Sequence, residues 1–459
     1  MKKVRVGAGS AFWGDMLEPA VELAENGDVN YIGFDHLAEL TLAILQRMKL
    51  KNPESGYIPD IIQWTKALLP ITSEKGITMV TNAGGANPEQ AGEEVIKIAK
   101  SLGLKGMKVG VASGDNLTPA RLSEIRAKGW KFKNLDTGEE DIGRIEDKIV
   151  AANAYIGADA LIECLEKGAN MVIAGRCSDN ALYVAPVMKE FGLDYSDKNV
   201  DLVAAAITCG HIIECTSGCT GGMSNLWKIV KDAWRIGFPI AEIYENGDFI
   251  ISKPEGSGGL VSEWNIKEHL VYEIMDPNNY YMPDGVADFT SAKVEEVGKD
   301  RVKVTGVKGK PRTDTLKVCI GYQDGYIGEG HVFFSWPDAL EKARWAEKWI
   351  RERIKLIGIV PEDLQIDYIG LNVLHGTTAP WPNKEDEDNI NEIGLRIAAK
   401  TKTRDEAGAI RREASHLWTA GPVGSSFGVP FNPRPVISLW PTLVPREEVY
   451  LESYVKEVR

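Results

Sequence analysis

Apolar and polar positions follow two rhythms over about the first 200 residues, and together they predict a sheet covered by helices. Short β-branched runs alternate with segments whose apolar residues recur every three to four positions. Val4 to Gly9 reads as a strand running into glycines, Met16 to Ala24 as a helix, Val29 to Phe34 as a second strand and Leu37 to Met48 as a second helix. The sharpest unit spans 77–111. Ile77-Thr78-Met79-Val80-Thr81 is β-rich, and Asn87-Pro88-Glu89-Gln90 then opens a helix, with Asn as cap, Pro at the first helical position and Gln90 closing a capping box. Ala91, Val95, Ile98 and Leu102 share the face toward the sheet, Gly103 stops the helix, and Met107 to Val111 is the next strand. A βαβ crossover of this kind makes its two strands parallel. Ala158 to Lys167, Asn170 to Ala174 and Ala181 to Glu190 repeat the grammar as helix, buried strand and helix.

After Leu226 the texture changes. Strand-like runs separated by Gly, Asn and Asp appear at Phe249 to Ser252, Val302 to Val307 and Leu316 to Tyr322. Asp324 to Gly330 reads as a glycine-rich hairpin loop. A long amphipathic helix over 337–357 is opened by Pro337 and Asp338, lined on one face by Leu340, Ala343, Ala346, Ile350 and Ile354, and ended by Gly358. The expected fold is therefore α/β. A parallel-sheet N-terminal domain with Rossmann-like βαβ units (1–226) precedes a mixed α+β domain (227–459) with a Gly- and Pro-rich tail.

Composition narrows the function classes. Of 459 residues, 66 are Asp or Glu and 53 Lys or Arg, a net charge of −13. That balance argues against nucleic-acid binding, which needs a basic footprint. No run of 18 apolar residues occurs, and no cleavage site follows an apolar core near Met1, so a cytoplasmic protein with no membrane span is expected. Six cysteines in a chain this long read as buried thiols, not a disulfide framework.

Candidate chemistry gathers after the predicted strands, where open α/β sheets bind ligands. The segments are Gly7-Ala8-Gly9-Ser10, Asp35-His36, Asn82-Ala83-Gly84-Gly85, Ser113-Gly114-Asp115-Asn116 and Arg176-Cys177-Ser178-Asp179. Gly7 to Phe12 fails as a dinucleotide fingerprint because Phe12 stands where the third glycine belongs. It leaves a tight turn, or backbone amides and Ser10 as an anion site. Asn82, Gly84 and Gly85 lead into a capped helix whose free amides suit a carboxylate or phosphate. Arg176 suits bidentate anion binding, with Asp179 to orient it, act as a base or cap the next helix; a structural ion pair is the plainer reading.

The segment Cys209 to Gly222 is densest in reactive side chains. His211 and Cys215 share a helical face at a spacing of four, with Glu214 beside them. Acid/base work, a nucleophilic thiol or a metal site are all compatible with these types. The spacing matches no standard zinc signature. A buried polar segment beside a glycine turn remains the alternative to all three.

These motifs carry a resemblance. Gly7 to Asp15, Asp35-His36-Leu37-Ala38-Glu39, Thr81 to Gly85, Ala152-Asn153-Ala154-Tyr155, Gly175-Arg176 with Asp179, and His211 to Cys215 with Thr220-Gly221-Gly222 resemble the acyclic terpene utilisation family. Asp288-Phe289, Arg312 to Val318 and Gly321 to Gly330 extend the similarity along most of the chain. The resemblance implies breakdown of acyclic terpenes, which passes through branched acyl-CoA thioesters. The expected activity is a hydratase or dehydratase acting on a branched unsaturated acid or its thioester. His211, Glu214, Cys215, Asp179 and Glu39 are its candidate catalytic residues, and Ser10, Asp35, Asn82, Gly84, Gly85, Asn153 and Arg176 its substrate-binding ones. Because some relatives carry a small ferredoxin-like C-terminal domain, a separate small partner subunit is expected, together with a homo-oligomer. No cofactor is identified, and a metal stays open. A non-catalytic ligand-binding or scaffold subunit and a metal-dependent enzyme are the alternatives.

Overall fold

The structure, a computed structural model, describes residues 1–428 and 431–459. It divides into two compact units, Met1–Gly321 with Leu439–Arg459, and Tyr322–Ser438.

The first unit is built on a ten-stranded sheet. Its strands include β1 (Lys3–Ser10), β2 (Tyr31–Phe34), β3 (Thr78–Thr81) and β4 (Lys108–Ser113). β5 (Ile149–Ala154) lies off this sheet, which β6 (Met171–Ala174), β7 (Ile240–Tyr244) and β8 (Phe249–Ser252) then rejoin. Next come β9 (Tyr280–Met282), β10 (Gly285–Asp288), β11 (Lys293–Gly298), β12 (Arg301–Thr305) and β13 (Lys308–Lys310). The long β14 (Thr315–Ser335) passes into the second unit, which holds β15 (Asp363–Ile369), β16 (Glu392–Thr401) and β17 (Ser425–Phe427). β18 (Arg434–Pro445) returns the chain to the first unit, and β19 (Glu452–Glu457) ends it.

Across the large sheet the order is β11-β12-β8-β7-β1-β2-β3-β6-β4-β19. The central five, β1-β2-β3-β6-β4, are mutually parallel, and β7 and β19 close them on either side as antiparallel strands. β2 and β6 are buried at every position, as befits parallel strands covered on both faces. The outermost β11, with charged Lys293, Glu295 and Glu296, is exposed along most of its length, which blunts an open sheet edge. The fold is thus mixed α/β, with parallel pairs in a large mixed sheet. β3 and β4 are parallel, as the crossover requires, but β6 lies between them. Residue 226 falls inside the first unit, because β7, β8, β12 and β11 extend this same sheet instead of starting another.

The helix after β3 runs Pro88–Ser101, with proline at its first turn. The expected capping box is absent. Asn87 instead donates its amide to the carbonyls of Pro53 and Ser55, and Gln90 donates to Glu94. Ala91, Val95 and Ile98 are buried as spaced, while Leu102 is more than a third exposed at the helix end.

The second unit packs two helices on an antiparallel sheet of order β15-β16-β14-β17. The first, Ala339–Leu356, buries Leu340, Ala343, Ala346, Ile350 and Ile354 as the spacing predicts. The glycines of Asp324–Gly330 lie within β14, not in a hairpin loop. A Cβ at Gly328 would meet the Ala407 carbonyl at 2.0 Å, and one at Gly330 the Ala414 methyl at 2.6 Å. They let the second helix, Arg404–Ala420, lie directly on the strand.

Candidate functional site

Parallel strands bring their carboxyl ends to one edge of the sheet, and the residues there form a buried hydrogen-bonded network. Ser10 at the end of β1 donates its hydroxyl to the Asp35 carbonyl at 2.8 Å and lies 3.3 Å from His36 Nε2. Asn82, after β3, donates to Asp35 Oδ1 at 2.5 Å and accepts the His36 N–H at 2.8 Å. Arg176, after β6 and 1% exposed, donates to the carbonyls of Leu37 and Cys177 and to the Asp179 carboxylate. Asn153, at the end of β5, joins through an Asn116–Asn153 bridge and donates to Asp115 Oδ2 at 2.7 Å. Ser10, Asp35, Asn82, Arg176 and Asp179 thus belong to one network, and Asn153 and Asp115 lie beside it.

The glycines serve the packing. A Cβ at Gly7 would strike Leu23 at 2.7 Å and one at Gly9 the Phe34 ring at 2.2 Å. The amides of Ala11 and Met16 are taken by the Asp15 carboxylate, so this turn is a structural one. Gly84 approaches the Ala174 carbonyl, where a Cβ would sit 2.4 Å away, and Gly85 has a φ of +53°. Both shape the turn that carries Asn82.

Electrostatics fit this burial. Burial, then the charge of Asp179, pushes the Asp35 carboxyl well above the usual range, against the pull of Arg176 and Asn82. Burial raises Asp115 to about 6 despite the Asn153 hydrogen bond, and lowers His36 to about 4. Burial alone would favour a neutral Arg176, but Asp179, Tyr155 and Asp35 hold its guanidinium firmly charged.

A second layer contains the His211 segment. The helix Val200–Ile213 ends before Cys215, so His211 and Cys215 share no continuous helical face; His211 sits in the last turn and Glu214 caps it. His211 stacks on Phe289 and packs at a tilt against Tyr280, hydrogen-bonds through Nε2 to the His269 carbonyl at 2.9 Å, and places Nδ1 3.6 Å from Glu214 Oε1. Burial lowers His211 to about 4. Burial, then Asp179 and Glu273, pushes Glu214 well above the carboxylate range. Burial and Glu214 push the Cys215 thiol upward, away from the reactive thiolate. Beside it Thr216 has a φ of +43°, a strained conformation for a β-branched residue, and its hydroxyl reaches Asp15 at 3.3 Å. Among the described residues, no group of three or more His, Cys, Asp or Glu side chains is arranged to hold a metal ion.

A cavity of about 490 Å³ opens beside these layers. Glu39, Tyr155, Ser178, Asp179, Asn180 and Lys317 form its polar wall; Leu135, Met282, Pro283, Leu316 and Leu443 form much of the rest, with Tyr280 and Tyr281. Asp179 is held there by Arg176, and Lys317 lies 3.5 Å from Glu39. Burial would raise Glu39, but its own backbone amide, then Lys317 and Arg176, bring it below its ordinary value. The Tyr155 ring carries Arg176 at 4.2 Å and Lys317 at 4.7 Å.

Of the candidate site residues, then, only Asp179 and Glu39 line this cavity. Arg176 reaches it through Asp179 and Tyr155, His211 through Tyr280, while Glu214 and Cys215 are not on its wall. Ser10, Asp35, Asn82, Gly84, Gly85 and Asn153 also lie off the wall. Sequence reasoning missed Tyr155, Ser178 and Lys317 as site residues. Tyr155 stands two residues after Asn153, Lys317 lies within Arg312–Val318, and Ser178 sits between Arg176 and Asp179, so each adjoined a motif already noted.

Fold and site together define an α/β protein with a polar network at its parallel strand ends and an amphipathic cavity beside it. The chain matches the family described as acyclic terpene utilisation family protein AtuA over residues 4–454, and it belongs to that family. Membership implies a part in acyclic terpene catabolism. No curated protein and no solved structure matches the chain. Among the described residues no helix is long and apolar enough to cross a membrane.

Proposed function

We propose that the protein is a catabolic enzyme acting on a branched unsaturated carboxylic acid or its acyl-CoA thioester, by adding or removing water. The observation that carries this reading is the amphipathic cavity. Its apolar lining suits a branched hydrocarbon tail, and its polar lining presents two carboxylates and one ammonium to the acid or thioester group. Hydration of a conjugated double bond needs a group to take a proton from water, a proton donor for the α-carbon, and stabilisation of the enolate oxygen. Asp179 faces the cavity and takes the proton, oriented by Arg176 from behind. The proton that Asp179 takes from water is the one it delivers to the α-carbon, so the addition balances with one acid/base group; Glu214, raised by burial and by the charge of Asp179, lies off the wall, 3.6 Å from His211.

Incubating the protein with 3-methylbut-2-enoate and with its CoA thioester in D₂O tests this by NMR. The expected result is a 3-hydroxy product carrying deuterium at the α-carbon, lost in Asp179→Asn. No exchange and no product from either compound would sink the reading. One observation favours a ligand-binding subunit instead: His211 and Cys215 are both held neutral by burial. Saturable binding of these probes without turnover would select that alternative.

A further inference from the structure

Two hydroxyls on the polar wall of the cavity are without partners. Tyr155 is 8% exposed and Ser178 2% exposed, and neither the phenol nor the serine hydroxyl makes a hydrogen bond. Buried polar groups are almost always satisfied, so two orphans on one cavity wall need an explanation. Other orphaned hydroxyls, on Thr65, Tyr183 and Thr442, do not line this cavity. The backbone brings the two segments together: Ile156 bridges Cys177, and Ser178 donates its N–H to the Ile156 carbonyl at 2.9 Å. Two cations flank the Tyr155 ring. Arg176 and Lys317 both rest on the Tyr155 ring, each also paired with a carboxylate, Asp179 and Glu39. Glu39 neighbours Tyr155, but no hydrogen bond of acceptable distance and angle joins them.

We propose that Tyr155 and Ser178 are the oxygen-binding pair of this cavity, both hydroxyls donating to the carboxylate or thioester carbonyl oxygen of the ligand. The assignment rests on the functional reading above and moves oxygen binding away from Arg176 and Asn82, whose hydrogen bonds are already made within the protein. Arg176 becomes a positioning residue acting through the Tyr155 ring. The pair selects for an acceptor oxygen that carries charge or gains it, while the apolar wall holds the tail whatever its head group.

Calorimetric titration of the full chain with 3-methylbut-2-enoate and with 3-methylbut-2-en-1-ol tests this, using Tyr155→Phe, Ser178→Ala and the double variant. Tyr155→Phe keeps the ring and its stacked cations, and matching melting temperatures check the fold; if it is unstable, Ser178→Ala carries the test alone. Each single change is expected to weaken the acid about tenfold and the pair about a hundredfold, as for hydrogen bonds to charged groups, with the alcohol changed by less than about threefold. Unchanged affinity of the double variant for the acid, while wild type binds it, overturns the assignment and leaves the functional reading standing. If wild type binds neither the acid nor its CoA thioester, the functional reading fails and the assignment falls with it.

Discussion

The strand-end network and the cavity wall use the same residue types in opposite ways. In the network Ser10, Asp35, Asn82 and Arg176 are bonded to one another or to backbone, whereas on the wall Tyr155 and Ser178 are buried without partners. A satisfied polar group holds shape; an unsatisfied one beside a cavity is available to a ligand. Density of polar residues at strand ends therefore does not by itself say which members are open to a ligand.

Predictions follow from breaking one side at a time. The largest effect belongs to the network. Arg176→Met leaves Asp35 and Asp179 without their cation and the Leu37 carbonyl without its donor, and should cost on the order of 3–5 kcal/mol. Urea unfolding measures it, and a loss below about 1 kcal/mol would contradict the network's structural role.

Next comes pH. His36 in the network and His211 and His269 in the second layer each have a folded pKa of about 4 because burial disfavours the charged ring. The unfolded chain takes up these protons near 6.5 while the folded chain does not. Stability is therefore full above about pH 6.5 and lost as pH falls toward 4, by at most about 3 kcal/mol per histidine. His36→Gln and His211→Gln should each flatten part of that loss in unfolding curves taken across this range.

Asp179→Asn acts on the wall. It should lower turnover of the true substrate about a hundredfold and also lower the melting temperature, because the buried Arg176 loses its carboxylate and keeps only its two carbonyl partners. A large stability loss with intact turnover would move Asp179 into the structural set. The smallest effect is Lys317→Met. Its pairing with Glu39 is partly exposed, so stability should change by less than about 1 kcal/mol. Affinity for 3-methylbut-2-enoate should weaken a few-fold, measured by titration.

Much of the first unit was legible because parallel strands leave local signatures. β-rich runs followed by polar turns predicted where Ser10, Asp35, Asn82 and Arg176 would gather, and helical spacing predicted the buried face of Ala339–Leu356. What failed was less local. Asn87 looked like a cap by sequence, yet its amide is claimed by Pro53 and Ser55, more than thirty residues away. The glycines of β14 looked like a turn because the close approach of Ala407 and Ala414 has no trace in neighbouring positions. His211 and Cys215 looked like a shared helical face because nothing in their spacing shows that the helix stops at Ile213. Lys317 reaches Glu39 across 278 positions, a separation that periodicity cannot bridge.

β19 pairs along β4 from Glu452 to Glu457, with Val458 buried in the core beside it. During synthesis this strand emerges after all of Tyr322–Ser438, which interrupts the first unit in the chain. The edge of β4 must therefore wait, unpaired, while the ribosome makes the second unit. Emergence of β19, not completion of the parallel strands, would be the event that covers this edge of the large sheet.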